Sequence, residues 1–396
     1  MKSLIFIAIV SVFAPFVRAA PILNTIDESP NVYIEMGKSH ALVVNKGIPV
    51  IAYNVIDRTG DNILTHQFKL AYCFSDCDTN PQFANHSIVS AASSLGGMVK
   101  LAVNGNNIPL IAYYEGLNNG FITLASCTKN CFTPSPTYRI AKTDLSLPVR
   151  PGFDFKLDKG RPVFAFGNNN ITIAYCTQGC YSANPVFFKR VIPLNIGNIS
   201  KIVLKLVNGN PVIGYERTLD FGYTKIGYVG LIYCSAACYS NVGQYSGYTL
   251  AHGSINTKTS FDFAIDSQGR PVLAYAFDDG MKIAKCIENC YSANPVFQHV
   301  LVDKNGSFPA LALRNGVLPY ISYNNALINT QNLRIAFCVS DCDLPTAIYG
   351  KRNLDLEYKS GLPSDIEFSA GNPVVSYYQA WSNDLRLAKC DKPGCG

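Results

Sequence analysis

The sequence predicts an all-β protein: a seven-bladed β-propeller of four-stranded antiparallel blades, with one disulfide per blade. A Cys-x3-Cys pair occurs six times, and a seventh pair, Cys390 and Cys395, is spaced one residue wider. The first cysteines of successive pairs are 54, 49, 58, 52, 52 and 52 residues apart. The segment Cys-Tyr-Ser-Ala-Asn-Pro-Val-Phe also occurs verbatim at 180–187 and 290–297. The chain is therefore an array of one supersecondary unit.

Each unit contains short apolar runs separated by Gly, Asn, Asp and Pro, which is the pattern of an antiparallel meander. In the first unit we expect strands at 41–44, 49–53, 68–72 and 83–89, with a loop over 54–67. Four short strands per unit, repeated seven times, favour a propeller over a β-helix, whose coils are much shorter.

The predicted second strand carries an aromatic residue in every unit. The seven residues are Tyr53, Tyr113, Phe166, Tyr215, Tyr275, Tyr323 and Tyr377. They could form a binding ladder, but a residue repeated in every unit is better explained by packing between blades.

The two ends of the chain are expected to cooperate. Residues 1–20 have the charged start, apolar centre and small-residue exit of a secretory signal peptide, so we expect a secreted, extracellular protein with one domain over 21–396. The last unit lacks a fourth strand, and 21–27 can supply it and close the ring. No later apolar run is long enough for a membrane span, so no membrane insertion is expected.

The cysteines predict structural disulfides instead of metal sites. An oxidising compartment favours disulfides, and pairs some 50 residues apart do not converge on one zinc ion. No metal and no other cofactor is expected. The predicted bridges join neighbours within one turn: Cys73–Cys77, Cys127–Cys131, Cys176–Cys180, Cys234–Cys238, Cys286–Cys290, Cys338–Cys342 and Cys390–Cys395.

Charge and sequons add two further expectations. The chain has 33 basic and 27 acidic residues, spread without runs, so no nucleic-acid partner is expected. Sequons agree with a secreted glycoprotein and stand at Asn85, Asn170, Asn198 and Asn305.

Two units resemble repeats of secreted β-propeller proteins of the type G-x-P-x-I-S-Y-Y-D … L-K-L-A-x-C. These units are Gly-Asn-Pro-Val-Val-Ser-Tyr-Tyr (371–378) with Leu-Arg-Leu-Ala-Lys-Cys (385–390), and Gly-Arg-Pro-Val-Leu-Ala-Tyr (269–275) with Met-Lys-Ile-Ala-Lys-Cys (281–286). The resemblance covers nearly all of the chain after residue 20. It implies the fold but no single activity, because fold and function separate in such groups.

No known catalytic motif occurs. The chain lacks the S-x-D-x-G-x-x-W box of sialidases, the G-x-S-x-G elbow, H-E-x-x-H, a phosphate loop and EF-hand spacing. The nearest calcium-like fragment, 57–62, lacks alternating oxygen ligands and is expected to be a solvated loop. Carboxylates follow several second strands and could act across the propeller mouth, although local turn bonding explains them as well. They are Asp57, Glu115, Glu216, Asp278 and Asp279.

A binding surface is predicted on the face that carries the second-to-third strand loops and the links between blades, here called the variable face. Blades 7, 1 and 2 carry no sequon there, and their loops offer aromatic and charged groups suited to sugars: Trp381, Tyr378, Asp57, Arg58, Tyr114 and Glu115. Trp381 could instead pack between blades.

These features lead to two functional hypotheses. The first is a secreted, non-catalytic recognition module that binds carbohydrate, or else an extracellular protein. The alternative is an extracellular glycan hydrolase or lyase that uses carboxylates at the propeller mouth.

Overall fold

The computed structural model describes residues 21–31, 33–59, 62–91, 95–115, 120–146, 152–193, 199–255, 260–325 and 331–395. The predicted signal peptide, the sequon residue Asn198 and the side chain of Glu115 lie outside these described parts. In the described residues no helix is long and apolar enough to cross a membrane.

The chain forms seven four-stranded antiparallel sheets arranged as propeller blades, as predicted. The strand β1 (Ile22–Asp27) precedes the first blade. Blades 1 to 3 are β2 (Ile34–Asn45), β3 (Ile48–Thr59), β4 (Asn62–Ser75) and β5 (Gln82–Ala91); β6 (Leu95–Val103), β7 (Pro109–Glu115), β8 (Phe121–Lys129) and β9 (Thr137–Ser146); β10 (Gly152–Asp158), β11 (Arg161–Gly167), β12 (Ile171–Gln178) and β13 (Val186–Ile192). Blades 4 and 5 are β14 (Ile199–Val207), β15 (Asn210–Asp220), β16 (Lys225–Ala236) and β17 (Gln244–Ser254); β18 (Ser260–Ile265), β19 (Pro271–Phe277), β20 (Gly280–Glu288) and β21 (Val296–Asp303). Blades 6 and 7 are β22 (Gly306–Arg314), β23 (Leu318–Asn325), β24 (Leu333–Ser340) and β25 (Ile348–Asp355); β26 (Ser360–Ser369), β27 (Asn372–Gln379) and β28 (Asp384–Lys389) with β1.

The N-terminal strand closes the ring, as predicted. The last sheet has the order β1-β28-β27-β26, and Ile22 pairs with Lys389 at one end of the antiparallel ladder. The inner strands of blades 7 and 1, β26 and β2, also lie against each other. The added strand gives blade 7 four strands, like the other blades, with β1 as its outer edge.

The long loops expected on the variable face are largely strand. β3 continues to Thr59 and β4 begins at Asn62, so most of the loop predicted at 54–67 is an extended hairpin. Likewise β15 reaches Asp220 and β16 begins at Lys225. The prediction failed because polar residues interrupt these strands where they rise beyond the packed part of the blade, and the apolar pattern stops there although backbone pairing continues.

Each blade carries one disulfide, as predicted. Six bridges close a Cys-x3-Cys turn, and Cys390–Cys395 closes the wider one. No cysteine is free. In addition, Lys389, directly before Cys390, donates to the carbonyl of Cys77 at 2.6 Å and to Asp78 at 2.5 Å in blade 1. The lysine of the A-K-C motif therefore joins the cysteine turns of adjacent blades.

The repeated aromatic residues pack between blades. All seven are buried, and three of the tyrosines donate a hydrogen bond to an aspartate that ends the outer strand of the preceding blade. These bonds join Tyr53 to Asp27 at 2.7 Å, Tyr323 to Asp303 at 2.8 Å and Tyr377 to Asp355 at 2.8 Å. A basic residue lies beside each aspartate: Lys69, Arg334 and Arg386 respectively. The seven aromatic residues therefore pack between blades and do not form a binding ladder.

Candidate active site in the central channel

The first strands of the blades surround a central channel. Its middle is a cavity of about 330 Å³ lined by β2, β6, β10, β14, β18, β22 and β26. It shares Lys201 and Ser364 with a cavity of about 450 Å³ on the variable face. It shares Lys156, Lys205 and Glu367 with one of about 550 Å³ at the opposite end. The ring therefore holds one continuous space large enough for a small glycan segment.

Charged side chains divide the channel into two walls. Four lysines lie on the inner strands of blades 2 to 4: Lys100, Lys156, Lys201 and Lys205. Acidic residues on the inner strands of blades 5 and 7 form the other wall: Asp262, Asp365 and Glu367. We call these the basic wall and the acidic wall. One acid, Asp154, stands within the basic wall, 3.7 Å from Lys100 and 3.9 Å from Lys156.

Three aspartates of the channel have a structural role. Asp154, Asp262 and Asp365 occupy the same position in blades 3, 5 and 7, and each accepts the N–H of the next residue. The second oxygen of each accepts a backbone N–H from the inner strand of the next blade, at 2.8, 2.8 and 2.9 Å. These bonds join neighbouring inner strands and fix the shape of the channel.

Glu367 is the channel carboxylate that is not used in this way. In the described part of the chain its side chain has no hydrogen bond or ion pair. Its side chain is exposed to the water of the channel, and the inner strands surround that water. This enclosure, together with repulsion from Asp365, raises the pKa of Glu367 to about 7, although Lys205 and Lys156 oppose the shift. A carboxyl group that gains and loses a proton near neutral pH is suited to general acid–base catalysis.

The entrance on the variable face contains a further acid and a strained residue. Glu216 is buried and accepts a hydrogen bond from the hydroxyl of Ser200 at 2.8 Å. Phe308, which lines the same entrance, has φ of 51°. A bulky residue in this left-handed region is strained, and such strain is concentrated at functional sites.

His40 lies beside the acidic wall but is held by the backbone. Its Nδ1 is 2.8 Å from the carbonyl of Gly37 and its Nε2 is 3.2 Å from that of Ser376 in blade 7. Burial lowers the pKa of His40, against the opposing effect of Asp365. This histidine links blades 1 and 7.

The residues predicted to form the binding surface lie in different environments. Trp381 is 74% exposed and touches the half-exposed Tyr358 edge-on, with ring centres 6.4 Å apart. Tyr378 is buried and donates to Asn383 at 2.6 Å. Tyr114 is buried as well, and its hydroxyl accepts the N–H of Gly120 at 3.0 Å. These two buried tyrosines do not present a ring to a ligand.

The charged residues of the predicted binding surface are Arg58, Asp57 and Glu115. Arg58 lies 3.6 Å from Glu35, and Asp57 is a partly buried residue of β3, so 57–59 is strand where a solvated loop was expected. The side chain of Glu115 lies outside the described residues. Of the five carboxylates expected after second strands, Glu216 reaches the channel cavities as a lining residue.

The channel residues were not predicted from the sequence, because binding residues were expected on loops and not on the first strands. A signal was present: the first strands of three units carry a lysine or glutamate between apolar residues, at Lys156, Lys205 and Glu367. These three occupy one position in blades 3, 4 and 7, two residues after the site of the structural aspartates. Side chains two apart on a strand point to the same side.

Comparisons with known proteins found similarity in solved structures alone. No family model and no curated protein matches the sequence. An α-L-arabinanase of Penicillium chrysogenum, complexed with arabinobiose, aligns over 94% of this chain and 98% of its own, with 11% identity and a TM-score of 0.46. A GH93 α-L-arabinofuranosidase of Fusarium graminearum, also with arabinobiose, aligns over 85% and 98%, with 9% identity and a TM-score of 0.49. An intramolecular trans-sialidase of Ruminococcus gnavus, with oseltamivir carboxylate, aligns over 92% and 96%, with 10% identity and a TM-score of 0.43.

These findings correct the first functional hypothesis. The similar structures are named as glycan-acting enzymes, which contradicts the prediction of a non-catalytic recognition module and favours its alternative. At such identities the similarity itself concerns the fold alone, so the choice of residues below depends on the channel.

Proposed function

We propose that the protein is an extracellular hydrolase or lyase of glycans, with Glu367 in the central channel as its proton-transferring group. The observation that carries the proposal is the combination of cavity and carboxyl group. Glu367 stands in the middle of a continuous channel, has no partner among the described residues and has a pKa of about 7. Cleavage of a glycosidic bond needs a proton donor for the departing oxygen, and a carboxyl group with a raised pKa supplies one at neutral pH.

Glu367 could serve as the acid in either reaction. In hydrolysis Glu367 donates its proton to the glycosidic oxygen as the C–O bond breaks, and a second carboxylate takes a proton from the attacking water. Asp365 lies two residues away on the same strand, but both of its oxygens accept backbone N–H groups, so we do not assign it as that second carboxylate. In a lyase reaction, Glu367 instead protonates the same oxygen after a base removes a proton from the sugar carbon.

The test is a panel of polysaccharides incubated with the purified, disulfide-bonded protein. New reducing ends would reveal cleavage, and ultraviolet absorbance of an unsaturated sugar would identify a lyase. Binding without new reducing ends on every polysaccharide would contradict the proposal.

The pH dependence of turnover gives a more specific prediction. If protonated Glu367 is the acid, kcat falls as pH rises through about 7, because the proton is lost above its pKa. Lys205 lowers the pKa of Glu367, so Lys205→Gln should move this fall to higher pH. The measurement is kcat against pH for both proteins. Lys189→Gln is the matched control, because it makes the same change in net charge away from the channel. Lys189 lies on an outer strand, where it pairs with Asp144. A shift to lower pH in Lys205→Gln would contradict the assignment.

Trp381 is proposed to extend the site on the variable face. The buried amide of Gln379 accepts the N–H groups of Trp381 at 2.6 Å and Ser382 at 3.0 Å, and donates to the carbonyl of Tyr358 at 2.9 Å. It therefore fixes the loop of Trp381 against the link that carries Tyr358. Rigid exposed rings of this kind can stack on sugar faces.

Trp381→Ala is accordingly expected to raise KM for a polysaccharide about fivefold, since stacked rings contribute on the order of 1 kcal/mol. The melting temperature should change little, because the ring is largely exposed. Initial rates and thermal melts check both points. Phe74→Ala is the control, an exposed aromatic residue directly after a bridged cysteine. A lowered melting temperature with an unchanged KM would place Trp381 in packing instead.

A further inference from the structure

The charges of the channel carry information about its substrate, provided that the proposed function holds. Four acids line the middle cavity, and three of them are the structural aspartates, each with both oxygens bonded to backbone N–H groups. The fourth, Glu367, is partly protonated at neutral pH because its pKa is about 7. Five lysines line the same cavity, because Lys38 joins the four of the basic wall, and the four acids therefore do not fully neutralise them.

The excess of positive charge is concentrated on blade 4. Lys100 and Lys156 both approach Asp154, but among the described residues neither Lys201 nor Lys205 forms an ion pair. Both lie on β14, and the strand turns their side chains to the same side because they are four residues apart. Lys201 lines the entrance cavity, and Lys205 lines the middle of the channel and its opposite end.

Lys201 is placed to receive an anion. It lines the entrance cavity with Ser260 and Ser364, whose hydroxyl groups can donate to a bound anion, whereas the hydroxyl of Ser200 already donates to Glu216. Lys201 is half-buried, and this desolvation lowers its pKa despite the nearby Asp262 and Glu216. Its Nζ lies 5.6 Å from the ring centre of Phe261 but has no direct ion-pair partner. A bound anion would supply that partner.

We propose that the substrate is an anionic glycan whose acidic group lies against Lys201 and Lys205 on the basic wall. The acid binds on blade 4, and the bond to be cleaved then faces Glu367 on the acidic wall across the channel. A neutral glycan would leave Lys201 without a partner and would bind more weakly. Carboxylated and sulfated glycans share the required chemistry.

The experiment measures binding separately from cleavage. Titration calorimetry with the Glu367→Gln protein would compare polygalacturonate, its fully methyl-esterified form and a sulfated galactan, each at low and moderate ionic strength. We expect polygalacturonate or the sulfated galactan to bind at least about tenfold more tightly than the ester, with affinity falling as salt rises. The better of the two acidic ligands identifies the acidic group.

Lys201→Gln tests the site itself. It should weaken binding of the acidic ligand about tenfold and reduce the salt dependence, whereas Lys189→Gln should change neither. Equal affinity for the ester and the acid, or binding that Lys201→Gln leaves unchanged, would overturn the inference. Cleavage of a neutral glycan with no affinity for acidic ones would overturn it while leaving the proposed function intact. Acidic binding that depends on Lys201, without cleavage by the native protein, would support it and contradict the proposed function.

Discussion

Glu367→Gln is expected to lower kcat for glycan cleavage by about 10²–10⁴-fold, because an amide has the shape of a carboxyl group but cannot supply its proton. KM should change far less, since the channel wall and its lysines remain. Initial rates with the best polysaccharide of the panel would measure both constants. The alkaline fall in kcat near pH 7 should also disappear from any residual activity, because the group that titrates there is gone.

The fold should tolerate this substitution. Glu367 has no hydrogen bond or ion pair in the described part of the chain, and its raised pKa shows that its ionised form is disfavoured where it stands. A group whose pKa is raised on folding costs stability once pH exceeds its unfolded value. The melting temperature of Glu367→Gln at pH 8 should therefore equal or exceed that of the native protein. Glu288→Gln, the same change at the exposed end of β20, controls for lost negative charge. Full activity in Glu367→Gln would refute its role.

The repeat made the fold predictable from the sequence. Cysteine spacing fixed the number of blades, and the incomplete seventh unit required a strand from 21–27. The buried aromatic residues were also recognised as packing because they recur. Each of these features is a property of the repeat, so seven copies reinforce one another.

The candidate site could not be predicted in the same way, because its residues differ from those at the corresponding positions of the other repeats. Glu367, Lys156 and Lys205 occupy one position in three blades, whereas Ala102, Ala264 and Ala312 line the channel at the corresponding position of others. Only the closed ring brings these residues together, since blades 3 and 7 are far apart in sequence. The pKa of Glu367 depends equally on the ring, because it is set by enclosure and by neighbours from other blades.

Removal of 21–27 is expected to lower the melting temperature by about 5 °C or more. Without β1 the edge of β28 loses its whole ladder, and the apolar side chain of Ile26, which is 5% exposed, no longer covers the core between blades 7 and 1. Burial of one such side chain contributes about 1.5–3 kcal/mol. Asp27 is lost as well, which leaves Lys69 and the hydroxyl of Tyr53 without their bonds of 2.9 and 2.7 Å. This pair is partly buried, and a hydrogen bond to a charged group contributes about 1.5–3 kcal/mol. Roughly 1 kcal/mol corresponds to 1–2 °C in a chain of this size.

Single substitutions in β1 separate ring closure from a general effect of truncation. Ile26→Ala should cost about 2–4 kcal/mol, whereas Leu23→Ala, on a side chain that is 44% exposed, should cost less than about 1 kcal/mol. Asp27→Asn should also destabilise the protein, because the amide cannot neutralise Lys69. Thermal melts should place the truncated protein and Ile26→Ala below Leu23→Ala, which should melt close to the native protein. Equal melts for the truncated and native proteins would mean that blade 7 is stable with three strands, and that Cys390–Cys395 and the Lys389 link to blade 1 are sufficient to hold the ring.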